Sequence, residues 1–102
     1  MAMDDIREKA WIGDAVLALW ARGRILQQPD IRPEDRTEVF VAMTSNRFLA
    51  ALGDPTRMEA RIGEVYEQEG LHAAFAWMDA NLFPVFQRQW NNLRKRHPGS
   101  RR

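Results

Sequence analysis

The stretch Trp11-Ile12-Gly13-Asp14-Ala15-Val16-Leu17-Ala18-Leu19-Trp20-Ala21 decides the fold, because every residue in it except Asp14 is apolar or glycine. A helix that is apolar nearly all round is buried, either in a core or against another subunit. A carboxylate carried on such a helix is costly unless something compensates its charge. Three partners are open to it: a metal ion, a buried Arg, or backbone N–H groups if Asp14 is itself the N-cap of a helix beginning after Gly13. The spacing predicts a first helix over residues 10–26, preceded by a turn around Ile6.

Working outward, the rest of the chain also reads as helix, with no sustained alternation of apolar and polar residues. Pro29 and Pro33 bracket a connection, and Pro33-Glu34-Asp35 suits a helix start, with Pro in the first turn and acids at the positive dipole end. The second helix carries Val39, Phe40 and Met43 and breaks at Thr44-Ser45-Asn46, where hydroxyls can cap a short helix ending at Gly53. Asp54-Pro55 opens the next, whose Met58, Ile62, Val65 and Tyr66 repeat at helical spacing until Gly70. Leu71, Ala74, Phe75, Met78 and Leu82 form another stripe stopped by Pro84, and Phe86, Trp90 and Leu93 mark the last. The expected fold is all-α, a bundle of five to six short helices over residues 1–93.

At 102 residues there is room for one domain. Cysteine is absent, which excludes disulfides, thiolate metal sites and a cysteine nucleophile. The longest apolar run, residues 15–21, is far short of the ~20 residues a membrane span needs. The acidic start lacks the pattern of a secretion signal, so a cytoplasmic protein is the expectation. The net charge of +1 conceals a division. Residues 94–102 hold five of the fifteen Lys and Arg and no acid, leaving ten basic against fourteen acidic groups in residues 1–93. Arg94, Lys95, Arg96, Arg101 and Arg102 thus form a basic tail able to neutralise phosphates or an acidic membrane surface, or simply a solvated end.

Glu59 is the second acid of interest. At about 100° per residue it falls beside the Met58-Ile62-Tyr66 stripe, along the edge of the buried face. Gly63 lies one turn on, and Gly13 lies next to Asp14. Glycine inside a helix costs stability and signals close approach of another backbone. Two such glycines at one helix crossing would bring the two carboxylates within reach of one cation. The plainer reading of Glu59 is an exposed acid in a helix first turn, favoured by the dipole. His72 and His97 have no ligand-spaced partner, and neither a Gly-rich phosphate loop nor a Ser-His-acid arrangement is present. The four Trp fall on helical stripes and read as core or dimer contacts.

The run Ala10-Trp11-Ile12-Gly13-Asp14-Ala15-Val16-Leu17 resembles the signature of the ribonuclease III family, in which a Gly-Asp pair precedes Ala/Ser-Val-Leu. Thr44-Ser45-Asn46-Arg47-Phe48-Leu49-Ala50 resembles that family's Val-Ser-Asn-x-x-Leu-Ala stretch. Glu59-Ala60-Arg61-Ile62-Gly63-Glu64-Val65-Tyr66 resembles its Glu-Ala-Leu-Ile-Gly-Ala-Ile-Tyr segment, followed by Gly70-Leu71. The three motifs come in the family's order and span roughly residues 8–93. Two signature glutamates of larger members fall at Arg7 and Ala10, and an Asp falls at Thr56. That reduced set is similar to the Mini-ribonuclease III type, which lacks a double-stranded-RNA-binding domain. The stretch between the second and third motifs is shorter here than in that type.

The resemblance implies an all-α homodimer packed through the signature helix and an endoribonuclease for double-stranded or structured RNA, such as a ribosomal RNA precursor. It implies Mg²⁺, with Mn²⁺ as a substitute, held by Asp14 and Glu59, with Thr56 and Asn46 as weaker ligand candidates. It leaves a catalytically silent module that binds structured RNA or ribonucleoprotein as the alternative.

Overall fold

The computed structural model describes residues 3–96, with side chains through 92. Helix α1 (Met3–Leu26) is followed by a 3-10 turn (Pro33–Asp35), α2 (Arg36–Thr44), α3 (Asn46–Ala50), α4 (Pro55–Glu69), α5 (Leu71–Asn81) and α6 (Phe83–Arg96). Among the described residues there is no strand, so the all-α expectation holds.

Local chemistry places most of the boundaries. The Ser45 hydroxyl accepts from the Phe48 N–H at 3.0 Å and caps α3, and the Asp54 carboxylate accepts from the Arg57 N–H at 2.9 Å and caps α4, with Pro55 in its first turn. Gly70 ends α4 at φ 95°, a conformation that favours glycine, and its N–H donates to the Tyr66 carbonyl. Pro84 sits in the first turn of α6 and so opens that helix, while α5 has already ended at Asn81. Helix α3 stops at Ala50, short of the expected Gly53, and the largest difference from expectation is at the start of α1. Helix α1 begins at Met3, seven residues before the predicted start, because Ile6 and Ala10 continue its buried face onto Ala60 of α4. Asp14 is therefore mid-helix and cannot be an N-cap.

The main core gathers residues from every α-helix, with Leu17, Met43, Leu49, Ile62, Met78 and Leu82 fully buried at its centre. Side chains of this kind each contribute about 1.5–3 kcal/mol when removed from water. Trp20 anchors α1 onto α5: its indole N–H donates to Asp79 Oδ1 at 2.8 Å. Arg24 pairs with that oxygen at 2.8 Å and lies 4.1 Å over the Phe83 ring, tying in α6. Phe86 then stacks on Trp90 and meets Phe48 edge-on, extending the core toward α3. Trp77 and Trp90 are half-buried against the core, as their stripes predict, whereas Trp11 is 79% exposed.

Candidate functional site

The site is built on the crossing of α1 and α4. The two helices run antiparallel, since Lys9 meets Gly63 and Glu67 while Gly13 meets Glu59. A Cβ added at Gly13 would run into the Glu59 carbonyl oxygen and stand 2.7 Å from its carbon. A Cβ at Gly63 would likewise run into the Lys9 carbonyl oxygen and stand 3.0 Å from its carbon and 3.1 Å from the Gly13 nitrogen. The backbones are in direct contact, which only paired glycines allow. An ion pair, Lys9 Nζ to Glu67 Oε1 at 3.0 Å, closes the same crossing one turn further along.

That contact fixes where the two carboxyls go. Glu59 is half-buried, whereas Asp14, which the apolar run predicted to be buried, is exposed, and its carboxyl lies near enough to Glu59 to bear on that residue's proton. Burial first, then the neighbouring Asp14 carboxyl, push the Glu59 pKa from 4.5 up to about 7. Glu59 therefore retains its proton to near neutrality beside the Asp14 carboxyl. Neither Thr56 nor Asn46 contributes to that shift. Thr56 is half-buried in the first turn of α4, one turn before Glu59, and Asn46 is exposed at the start of α3. Among the described residues no group of three or more His, Cys, Asp and Glu side chains gathers. Asp14 and Glu59 thus stand as a pair of acidic donors, while Glu67 at the same crossing is engaged by Lys9.

The backbone of α6 continues through Arg94, Lys95 and Arg96, whose side chains lie outside the described set; Arg101 and Arg102 lie outside the described residues altogether. The part missed by the sequence reading is Lys9 and Glu67. Their signal is the spacing, since each lies four residues from a crossing glycine, Lys9 before Gly13 and Glu67 after Gly63.

Comparison with protein-family models, curated proteins and solved structures returned no match. The functional reading therefore rests on the site itself and on the motif resemblance.

Proposed function

We propose that the chain is a divalent-metal-dependent endoribonuclease that cuts double-stranded or structured RNA as a homodimer. The observation that carries the reading is the Asp14–Glu59 carboxyl pair, held together by the Gly13–Gly63 backbone contact. The donor set suits a hard cation. Mg²⁺ takes carboxylate oxygens and keeps several waters, so two protein carboxylates with substrate phosphate make a sufficient set, and Mn²⁺ accepts the same ligands. Bound there, the metal would supply Lewis-acid stabilisation of the phosphodiester and a more acidic water for in-line displacement.

Each residue then has a definite task. Asp14 and Glu59 hold the cation, and Glu59 gives up the proton it retains near neutral pH when the cation arrives. Thr56 and Asn46 are the weaker oxygen donors, as the motif positions imply. Arg94, Lys95, Arg96, Arg101 and Arg102 neutralise RNA phosphates, giving affinity that falls steeply with salt. The test is cleavage of a long RNA duplex with Mg²⁺, with and without chelator, by the natural chain and by Asp14→Asn and Glu59→Gln. Activity unchanged by both substitutions refutes the site.

The second reading, a non-cleaving module for structured RNA, is favoured by Arg7 and Ala10 standing where the signature carries glutamates, and by no third acid gathering with Asp14 and Glu59 among the described residues. Saturable, salt-sensitive duplex binding with no cleavage under any divalent metal decides for it.

A further inference from the structure

The crossing of α1 and α4 carries a second feature besides the carboxyl pair. A small cleft of about 240 Å³ lies along it, lined by Ile6, Arg57, Ala60, Arg61 and Glu64. Its floor is apolar, since Ile6 and Ala60 are buried together with Ala10. Its rim is cationic, in a body whose residues 1–93 hold fourteen acids against ten bases. Two of the acids beside the rim are already engaged. Glu64 Oε1 accepts from Arg61 Nη1 at 2.8 Å, and the Asp54 carboxylate accepts from the Arg57 backbone N–H. Among the described residues the Arg57 guanidinium has no ion pair, and neither has that of Arg7, which follows Ile6 on α1. Arg7, Arg57 and Arg61 are all exposed. Arg61 keeps further N–H donors beyond the one that Glu64 takes.

These cations stand at measured steps from the carboxyls. Arg57 precedes Glu59 by two residues, about 3 Å along α4, and Arg61 follows it by the same step. Arg57 and Arg61 are thus one turn apart, about 6 Å along the axis. Arg7 lies seven residues before Asp14, two turns or about 10 Å along α1, and within about 20° of the same direction. Guanidinium groups around an apolar floor suit a sugar–phosphate backbone, because each fork takes phosphate oxygens while the sugars lie over the floor.

We propose that Arg7, Arg57 and Arg61 grip the phosphates of one RNA strand beside the phosphodiester held at Asp14 and Glu59, with Ile6 and Ala60 beneath its sugars. They are positioning residues, acting on the strand that flanks the reacting bond. The proposal rests on the nuclease reading for the identity of that strand, and it places part of the RNA grip on the helical body as well as on the basic tail. It also gives Arg7 a task of its own. Where the signature carries a glutamate, this chain carries a cation, which attracts phosphate in place of repelling it.

The test is binding of a short fluorescein-labelled RNA duplex to the full chain, read by anisotropy over a range of salt with a chelator present, so that cleavage plays no part. Arg7→Gln and Arg57→Gln should each weaken binding about three- to tenfold at low salt and lower the slope of log affinity against log salt by about one. Arg57→Lys, which keeps the charge, should keep the slope. Arg36→Gln, an exposed cation at the start of α2, should change neither quantity. All these residues are exposed, so circular dichroism and melting temperature should show every variant folded. Natural affinity and slope in both Gln variants, or an equal loss in Arg36→Gln, overturns the proposal, as does a natural chain with no duplex affinity at low salt. Displacement of the duplex by polyglutamate as readily as by unlabelled duplex at matched charge also overturns it, and marks the rim as a site for an acidic protein. The nuclease reading fails separately: a chain that binds duplex through these residues yet cuts none in Mg²⁺ keeps the grip and loses the activity.

Discussion

Replacing Gly13 with Ala tests the crossing on which the candidate site depends. In an unobstructed helix this change stabilises by about 0.5–1 kcal/mol, because Ala restricts the unfolded chain and suits the helix better. Here the new methyl would collide with the Glu59 carbonyl oxygen and lie 2.7 Å from its carbon, where carbon atoms in contact ordinarily stand about 3.5–4.0 Å apart. Both colliding groups are held by backbone, so relief requires α1 and α4 to part by roughly 1 Å or more. A gap of about 0.5–1 Å forfeits a quarter to a half of the dispersion attraction of each contact it opens, here along the most extensive helix interface among the described residues. Overpacking costs of about 1–3 kcal/mol are usual where side chains can yield. With backbone on one side, a net loss of about 2–4 kcal/mol follows after the propensity gain is subtracted.

For a domain of this size that lowers the melting temperature by more than about 10 °C. The measurement is thermal unfolding at one fixed protein concentration, because a dimer's melting point depends on concentration. Gly23→Ala in the same helix is the control: nothing lies within 4 Å of its added methyl, so it should melt a few degrees higher, by about 0.5–1 kcal/mol of stability. Gly63→Ala should behave like Gly13→Ala, and the double variant should cost less than the sum, since helices already parted leave less contact to lose. A Gly13→Ala protein as stable as Gly23→Ala would refute the close crossing and, with it, the reason the two acids meet.

Further outcomes follow from the same geometry. Glu59 binds its proton more tightly folded, with a pKa of about 7, than unfolded, near 4.5, so its contribution to stability is full below pH 4.5 and is lost as pH rises through 7. Allowing for solvent screening at a half-buried group, Glu59→Gln should be the more stable protein at pH 8 by about 1–2 kcal/mol, and the difference should shrink at pH 5, as read by urea unfolding. Millimolar Mg²⁺ should raise the melting temperature of the natural chain more at pH 8 than at pH 5.5, because the cation competes with the proton that Glu59 retains; Asp14→Asn should show little such rise. Asp54→Ala removes the α4 cap and should cost about 1 kcal/mol in chemical unfolding without changing the Glu59 titration. Leu17→Ala empties a fully buried position and should cost about 2–5 kcal/mol in the same assay.

Much of the fold was legible because its signals are local. The Ser45 and Asp54 caps, Pro55 in a first turn and Gly70 at positive φ act within three or four residues of themselves, and the sequence placed them correctly. The N-terminal limit of α1 was not legible in the same way. Met3-Asp4-Asp5-Ile6-Arg7-Glu8-Lys9 has little apolar character by itself, and it is the packing of Ile6 and Ala10 on Ala60 that extends the helix to Met3. For the site, the glycine beside each acid was readable, and so was their meaning as a close approach. Their being opposite one another was not.

The sequence by itself determined that this protein is helical, where several of its helices stop, and that Asp14 is the single charge between Trp11 and Ala21. Those properties depend on backbone groups and side chains a turn apart. The tertiary structure alone decided that Asp14 is mid-helix, that its neighbour is the Glu59 carboxyl, and that the apolar surround of α1 is only partly filled by its own core. Helix pairing is set by which surfaces dock across 45 residues of chain, and no local rule carries that information.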